Sequence, residues 1–365
     1  LTHEIVVERD QAACATLRHN KARGHRLVKD WGIVEADVRS VDLSAVAPGV
    51  DLLSGGPPCQ PFSVGGKHRG EFDPRDMWPW SVAAVRALKP RGFLFENVRN
   101  LASAHSEYLE YIKLQLRFPE MVRMPDETTE GHRNRLQRYD RSGTPDGLFY
   151  RVRHVLADAA DYGAAQYRQR VFIVGLRCDQ KRQWEAPAAT HSRSALDSQK
   201  WLTGAYWDRH GIAWGQASGA EMRRIRMHNR QPAADRHLAP HRTLRDAIAD
   251  LGEPTALGHP RISAHVRPPR EARAYEGHTG SPWDAPAKAL RAGDHGVSGG
   301  ENMIDFGNGR DYRHFTIREA ARVQDFEDSY DFPGNWSDGL RQLGNAVPVS
   351  LSRAMGQSMQ AALAA

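Results

Sequence analysis

Short apolar, β-branched runs, each ending in a polar or glycine-rich turn and separated by helical patterns, leave few folds open to this chain. Residues 4–8 form such a run and close on an acid, after which Asp10 caps a helical pattern over 11–19. Asp51-Leu52-Leu53 leads into a loop of glycine and proline, residues 80–88 read as a helix, and Gly92-Phe93-Leu94-Phe95-Glu96 reads as a buried strand. Residues 150–156 and 171–175 add two more strands. Strands alternating with helices across short loops point to an α/β fold built on a doubly wound sheet.

The rest of the chain is less regular. Residues 113–148 are polar, basic and turn-rich, and read as an insertion or long loop. Residues 178–300 mix Arg, His, Trp, Gly and Pro with weak periodicity, apart from one short helix over 243–251, and read as a smaller second lobe. Regular structure returns at Thr316-Ile317-Arg318-Glu319, a capping-box pattern, and in a terminal helix over 350–364.

Composition narrows the function classes. A length of 365 residues allows one large domain or two modest ones, and 40% hydrophobic residues suffice for a core. No apolar run approaches the ~18 residues of a membrane span, and no secretory leader is visible, so a cytoplasmic protein is expected. Lys and Arg number 50 against 44 acids, a formal charge of +6 that favours a polyanion such as nucleic acid. Cys14, Cys59 and Cys178 lie far apart with no CxxC pair, so neither a disulfide framework nor a metal site is expected. The chain opens on Leu1, not Met, almost directly into a strand, and is expected to begin inside a longer gene product.

Three segments carry the chemistry. Gly55-Gly56-Pro57-Pro58-Cys59-Gln60-Pro61-Phe62-Ser63 follows a strand, at the sheet edge where α/β folds bind ligands. Its glycines admit a close ligand and its prolines stiffen the loop, so the Cys59 thiol is presented as a soft nucleophile suited to carbon 6 of an activated cytosine. A structural loop whose cysteine faces inward is the alternative. Glu96-Asn97-Val98 ends the strand over 92–96 at the same edge. A Glu96 carboxyl whose pKa is raised by burial can donate a hydrogen bond to ring nitrogen 3; a simple strand cap is the alternative. In Gln166-Tyr167-Arg168-Gln169-Arg170, alternate residues of an extended segment share a face, so Gln166, Arg168 and Arg170 point together. Two guanidiniums there suit phosphate, a base carbonyl or a carboxylate, against the alternative of a solvated basic edge.

These segments, followed by Gln342-Leu343-Gly344-Asn345-Ala346-Val347-Pro348, occur in the order found in bacterial DNA (cytosine-5)-methyltransferases of the restriction–modification type, and the chain resembles that family over most of its length. The resemblance implies a Rossmann-like S-adenosylmethionine-dependent methyltransferase fold with a smaller, irregular target-recognition domain. It divides the chain into a catalytic and cofactor domain over 1–177, a target-recognition domain over 178–300, and a return to the catalytic domain over 301–365. It implies transfer of a methyl group from S-adenosylmethionine to carbon 5 of a flipped cytosine in a specific duplex DNA sequence, through a covalent Cys59 adduct. Catalytic roles fall on Cys59, Glu96, Arg168 and Arg170, cofactor contacts on Glu8, Asp37, Pro58, Asn345 and Ala346, and DNA contacts on Ser63 and Gln166. The implied partners are double-stranded DNA and a cognate restriction endonuclease, with the enzyme itself a monomer that does not engage a membrane.

The sequence also departs from the family. The usual first strand and its glycine-rich loop, expected between the strand over 4–8 and the strand leading to Cys59, do not precede Leu1. The chain by itself is therefore expected to be inactive and the intact gene product active. Ala289 stands where Thr is usual, at the cost of one hydroxyl, and Arg318 and Arg322 are expected to brace the lobe instead of reading DNA. Two other readings stay open: a non-catalytic or split-enzyme DNA-binding component that needs the N-terminal segment, and a tRNA cytosine methyltransferase, against which the sizeable second lobe argues.

Overall fold

The strand that carries Glu96 lies inside the main sheet. The computed structural model describes residues 3–46, 49–58, 76–143, 147–228, 237–273, 279–292, 300–307 and 311–364. Within it, β1 (Val6–Glu8) is followed by α1 (Gln11–Ala22), capped by the Asp10 side chain as the sequence predicts, and by β2 (Ile33–Glu35). Next come β3 (Leu52–Gly55), α2 (Trp78–Leu88) and β4 (Gly92–Val98). Helices α3 (Asn100–Ser103), α4 (Ser106–Arg117) and α5 (Thr129–Arg141) precede β5 (Tyr150–Asp158) and β6 (Gln169–Arg177).

Four of these strands form one sheet in the order β3-β4-β6-β5. β3 and β4 are parallel, whereas β6 runs antiparallel to both of its neighbours. The link over 159–168 is shorter than the dozen or so residues a parallel crossover needs, so the chain reverses at the end of β5 and the sheet becomes mixed. β1 and β2 form a separate parallel pair. No ladder joins β1 to β3 among the described residues, although the sequence reading expects a further strand between them.

Helices cover both faces of the four-stranded sheet. On one, Trp78, Val82 and Val85 of α2 and Leu109, Ile112 and Leu116 of α4 pack with Phe93, Phe95 and Ile173. On the other, Leu351, Met355 and Met359 pack against Phe172, Val174 and Leu176. Each fully buried side chain of this size contributes about 1.5–3 kcal/mol. The packing is close: a Cβ on Gly175 would lie 2.1 Å from the Phe93 ring, its partner in the ladder.

Two expectations are corrected here. The stretch 113–148 is not simply a long loop: α4 runs to Arg117, and α5 buries His132 and Leu136 against Tyr111 and Phe118. The second lobe is more helical than its sequence suggests. Between β7 (His191–Ser192) and β8 (Ala239–Pro240) it holds α6 (Arg193–Trp201), α7 (Ala205–His210) and α8 (Gly219–His228). The expected helix follows as α9 (Leu244–Ile248), capped by Thr243. The buried face of α6 carries Asp197 and Lys200, which a hydrophobic pattern does not register. The Lys200 ammonium donates to the Asp284 carbonyl at 2.9 Å and lies within 6 Å of the Trp201, Tyr206 and Trp207 rings.

A small sheet of β9 (Ser281–Pro282), β10 (Met303–Asp305) and β11 (Tyr312–His314) leads back to the main body. There α10 (Ile317–Val323) starts at the predicted capping box, with Thr316 Oγ1 accepting from Glu319 N–H and Glu319 Oε2 accepting from Thr316 N–H. Helices α11 (Trp336–Asn345) and α12 (Val349–Leu363) end the fold. Arg318 and Arg322 brace it as expected. Buried Arg318 donates to the carbonyls of Ser263, Glu327 and Tyr330, and Arg322 pairs with Asp250 and Asp328.

Candidate active site

Register in the sheet brings Glu96 and Arg170 together. β4 and β6 run antiparallel with Glu96 opposite Phe172 and Val98 opposite Arg170, so both side chains reach the carboxyl rim of β4. Arg170 Nε lies 2.7 Å from Glu96 Oε1, with both side chains largely buried. Burial raises the Glu96 pKa, and the nearby positive charges of Arg170 and Arg168 only partly oppose it. The shift has the direction expected of Glu96, upward from the ordinary carboxyl value.

Arg168 and Gln166 share that side of the segment but are engaged differently. Arg168 is 1% exposed and donates to the carbonyls of Leu290 (2.8 Å) and Gly344 (2.5 Å). Burial and the Arg170 charge bring its pKa down to about 9, so it stays protonated at neutral pH. Its contacts join three distant segments behind the rim. Gln166 is fully buried, and its Oε1 accepts from Leu290 N–H at 2.9 Å. Gln166 Nε2 and Arg168 Nε are buried donors without an acceptor among the described residues. The segment they grip runs beside 165–167 through a ladder at Ala287, with Ala289 half-buried between its anchor points.

The end of β3 meets the same rim. A Cβ on Gly56 would lie 3.4 Å from Glu96 Oε2, and Asn97 Nδ2 donates to the Pro57 carbonyl at 2.9 Å. Pro58 is exposed beside them. Cys59 and Ser63 lie outside the described residues. The sequence reading assigned no role to the Asn97 side chain; its adjacency to Glu96 was the available signal.

A cofactor would contact the carboxyl ends of β1 and β2. Glu8 Oε1 accepts the N–H groups of Arg9 and Asp10 at 2.7 Å each, which fixes the carboxylate at the strand end and leaves Oε2 for the hydroxyls of a ribose. Asp37 is already engaged, since Arg39 reaches both of its oxygens and holds its pKa well below the usual carboxylate range. A contact from Asp37 to a cofactor would share or replace that pairing. The segment carrying Asn345 and Ala346 is tied to this region from afar. Arg341 on α11 lies 2.8 Å from Asp10, the residue that caps α1, and Gln324 donates to the carbonyls of Leu343 and Ala346. Asn345 is exposed at the end of α11, and Gln342 Nε2 nearby is a buried donor with no acceptor among the described residues. A carboxylate oxygen and an amide N–H on adjoining elements, both without a partner among the described residues, fit a ligand with both hydroxyl and acceptor groups. S-adenosylmethionine is such a ligand.

Comparison with known proteins agrees with this geometry. The chain is 26% identical over 365 residues to the type II methyltransferase M.NgoMIV of Neisseria gonorrhoeae, covering 99% of this chain and 91% of that protein. It is 28% identical to M.Eco47II of Escherichia coli over 97% of this chain and 72% of the relative. Among solved structures it is similar in fold to the methyltransferase EhMeth of Entamoeba histolytica, with a TM-score of 0.53 at 11% identity, covering 99% of this chain and 90% of that one. The S. pombe Dnmt2 methyltransferase gives 0.51 at 12%, with the same coverage. The model of the C-5 cytosine-specific DNA methylases matches residues 1–118 and 132–361, leaving out only the turn before α5 and the start of that helix within the matched span, and the chain belongs to that family.

Proposed function

We propose that the Glu96–Arg170 rim receives a cytosine extruded from a specific sequence in duplex DNA, in the reaction that family membership establishes: transfer of a methyl group from S-adenosylmethionine to carbon 5 of cytosine in DNA. The observation that carries this reading is the buried Glu96 carboxyl with a raised pKa, paired with Arg170 and adjoining Gly56. In the proposed sequence the Cys59 thiolate forms a bond to carbon 6, and Glu96 gives its proton to ring nitrogen 3. The electron pair of the former 5,6 double bond then makes carbon 5 nucleophilic. S-adenosylmethionine, bound along Glu8, Pro58 and the Asn345-Ala346 turn, supplies an electrophilic methyl group. Methyl transfer leaves the cofactor as the neutral thioether. Loss of the carbon 5 proton to water, departure of the thiolate from carbon 6 and return of the nitrogen 3 proton to Glu96 then release 5-methylcytosine and restore the enzyme. Arg170 orients Glu96 and limits how far its pKa can rise, while Arg168 holds Leu290 and Gly344 in register behind it. Ser63 is assigned to the DNA strand, and Gln166, buried and bonded to Leu290, is assigned to the same face through the segment it holds.

Residues 178–300 serve as the lobe that reads sequence, and 301–365 return to the catalytic domain. By analogy with its type II relatives, the chain is assigned to the modification arm of a restriction–modification pair, as a cytoplasmic monomer. No helix among the described residues is long and apolar enough to cross a membrane. The test is transfer of labelled methyl groups to duplex DNA and to tRNA, with bisulfite sequencing of the DNA product. Incorporation into tRNA alone, or full activity in Cys59→Ser, would end the reading.

One observation favours a second reading, in which a further β-strand completes the sheet before the enzyme works. β1 and β3 each have an edge with no strand partner among the described residues. Both strands are half-buried or exposed, and a strand added at these edges would pair their open N–H and C=O groups. On this reading the 365-residue chain is inactive alone and gains activity when a strand with a glycine-rich turn is supplied; efficient methylation by the unaided chain excludes it.

A further inference from the structure

Beyond the Glu96–Arg170 pair, the two central strands of the sheet place a second pair at the rim. Val98 lies opposite Arg170 at the end of the β4–β6 ladder, so the next residue out, Arg99, meets Gln169, the residue before Arg170. Arg99 Nη1 donates to Gln169 Oε1 at 2.8 Å, and both residues are exposed. Gln169 is held from its other side too, because its main-chain carbonyl accepts from Arg170 Nη1 at 2.8 Å. One glutamine thus ties the buried pair to an exposed guanidinium. Alternation along β6 sends its side chain to the sheet face opposite Arg170, so the two arginines flank the rim from either side.

The partner of Arg99 sets it apart from other surface arginines. Arg39 and Arg177 each face a carboxylate, of Asp37 and Asp179, which offsets their charge. Arg99 has no acidic partner among the described residues; a neutral amide orients it and leaves its positive charge whole. One N–H of the guanidinium is engaged and its others stay available. Holding a long side chain in place before a ligand arrives also removes part of the ordering cost of binding. Arg99 stands at most about 10 Å along the backbone from Glu96. That reach is comparable to the span from the edge of a pyrimidine to the phosphates on either side of its sugar. A cytosine whose ring meets Glu96 leaves its own backbone at the level of Arg99.

We infer that Arg99, held by Gln169, binds a backbone phosphate next to the extruded cytosine and so positions the nucleotide at the rim. The ligand is a phosphodiester of duplex DNA, whose oxygens accept from the guanidinium in charge-assisted hydrogen bonds. Such a contact carries no sequence information and fixes register instead. The inference rests on Glu96 receiving the cytosine, as proposed above.

The experiment measures the dissociation constant of the full chain for duplex DNA over a range of salt, and needs no turnover. Arg99→Gln and Arg99→Lys are compared with the unaltered protein. In a log–log plot against salt, Arg99→Gln should be shallower by about 0.9 and, at ~0.1 M salt, roughly eightfold weaker in affinity, while Arg99→Lys keeps the slope. A neutral methylphosphonate on the 5′ or the 3′ side of the target cytosine should reproduce that loss at one of the two positions in the unaltered protein, and add nothing further in Arg99→Gln. An unchanged slope in Arg99→Gln overturns the inference whether or not affinity falls, since a merely structural loss leaves the counterion count alone. Additivity of the variant with the methylphosphonate at both positions overturns it as well. Failure of the underlying reading looks different: Glu96→Gln would then methylate DNA as the unaltered protein does, whatever the salt slope of Arg99→Gln.

Discussion

Glu96 is subject to two opposing influences. Burial favours its neutral form, while Arg170 at 2.7 Å and the charge of Arg168 favour the ionised one; Asp158 acts on the same cluster through Arg170. Because burial prevails and the pKa is raised, the folded state holds this proton more tightly than the unfolded chain. The stability it contributes is fully present below the ordinary carboxyl value and is lost as pH rises through the raised one. Catalysis should show the same sign, since the protonated carboxyl persists to higher pH than in an exposed glutamate and its contribution then fades. In Glu96→Gln, whose amide can donate at any pH, kcat/KM should fall by roughly 10²–10⁴ and the profile should lose this descending limb. An unaltered profile would show that Glu96 is not the proton donor. Arg170→Met should push the Glu96 pKa up further and, through the lost hydrogen bond, cost about 1–3 kcal/mol in denaturant unfolding. Adding Glu96→Gln should restore a substantial part of that loss, and strict additivity in the double-mutant cycle would mean the pair is not coupled.

Elements meet at the site through backbone contacts that tolerate little extra volume. A Cβ on Gly344 would lie 2.3 Å from Ala292 N and 2.4 Å from the Arg291 carbonyl carbon, and backbone cannot swing aside as a side chain can. The same Gly344 carbonyl accepts from Arg168, so α11, the 287–292 segment and β6 close on one point. Gly344→Ala should destabilise by about 1–3 kcal/mol or more and weaken cofactor binding, measured by thermal melting and by titration. Gly356 in α12 is the contrast, with nothing within 4 Å of an added Cβ. Gly356→Ala should stabilise by about 0.5–1 kcal/mol through helix propensity alone. If both variants melt alike, close approach is not what demands glycine at 344.

At the scale of the whole molecule, the second lobe is attached by charged side chains as well as by apolar packing. Arg318 spans Ser263, Glu327 and Tyr330, Arg322 pairs with Asp250, and Arg242 pairs with Asp325. The excess of basic residues, a formal +6, gives DNA association an electrostatic component. The affinity for duplex DNA should therefore fall steeply and log-linearly between about 50 and 200 mM salt. Binding of S-adenosylmethionine, which involves few formal charges of the protein, should change little over that range. A flat salt response for DNA would remove the electrostatic argument and leave recognition to neutral contacts.

Local order was legible wherever it depends on near neighbours. The apolar runs ending in Glu8 and Glu96, the Asp10 cap and the Thr316–Glu319 box are encoded within a few residues, and so is the rim segment ending in Arg170. Helices α5, α6 and α8 escaped because their buried faces include His132, Asp197 and Lys200, or little beyond Ile225, and pattern reading takes such faces for surface. The partners of functional side chains belong to tertiary structure. Arg168 finds carbonyls 122 and 176 residues away, and Arg341 reaches Asp10 across 331. Which strand edges lack a partner among the described residues, and which carboxyl is buried deeply enough for its pKa to rise, likewise emerged only on folding. Composition and periodicity determine what each segment can form, but desolvation and pairing arise only once distant segments have excluded water together.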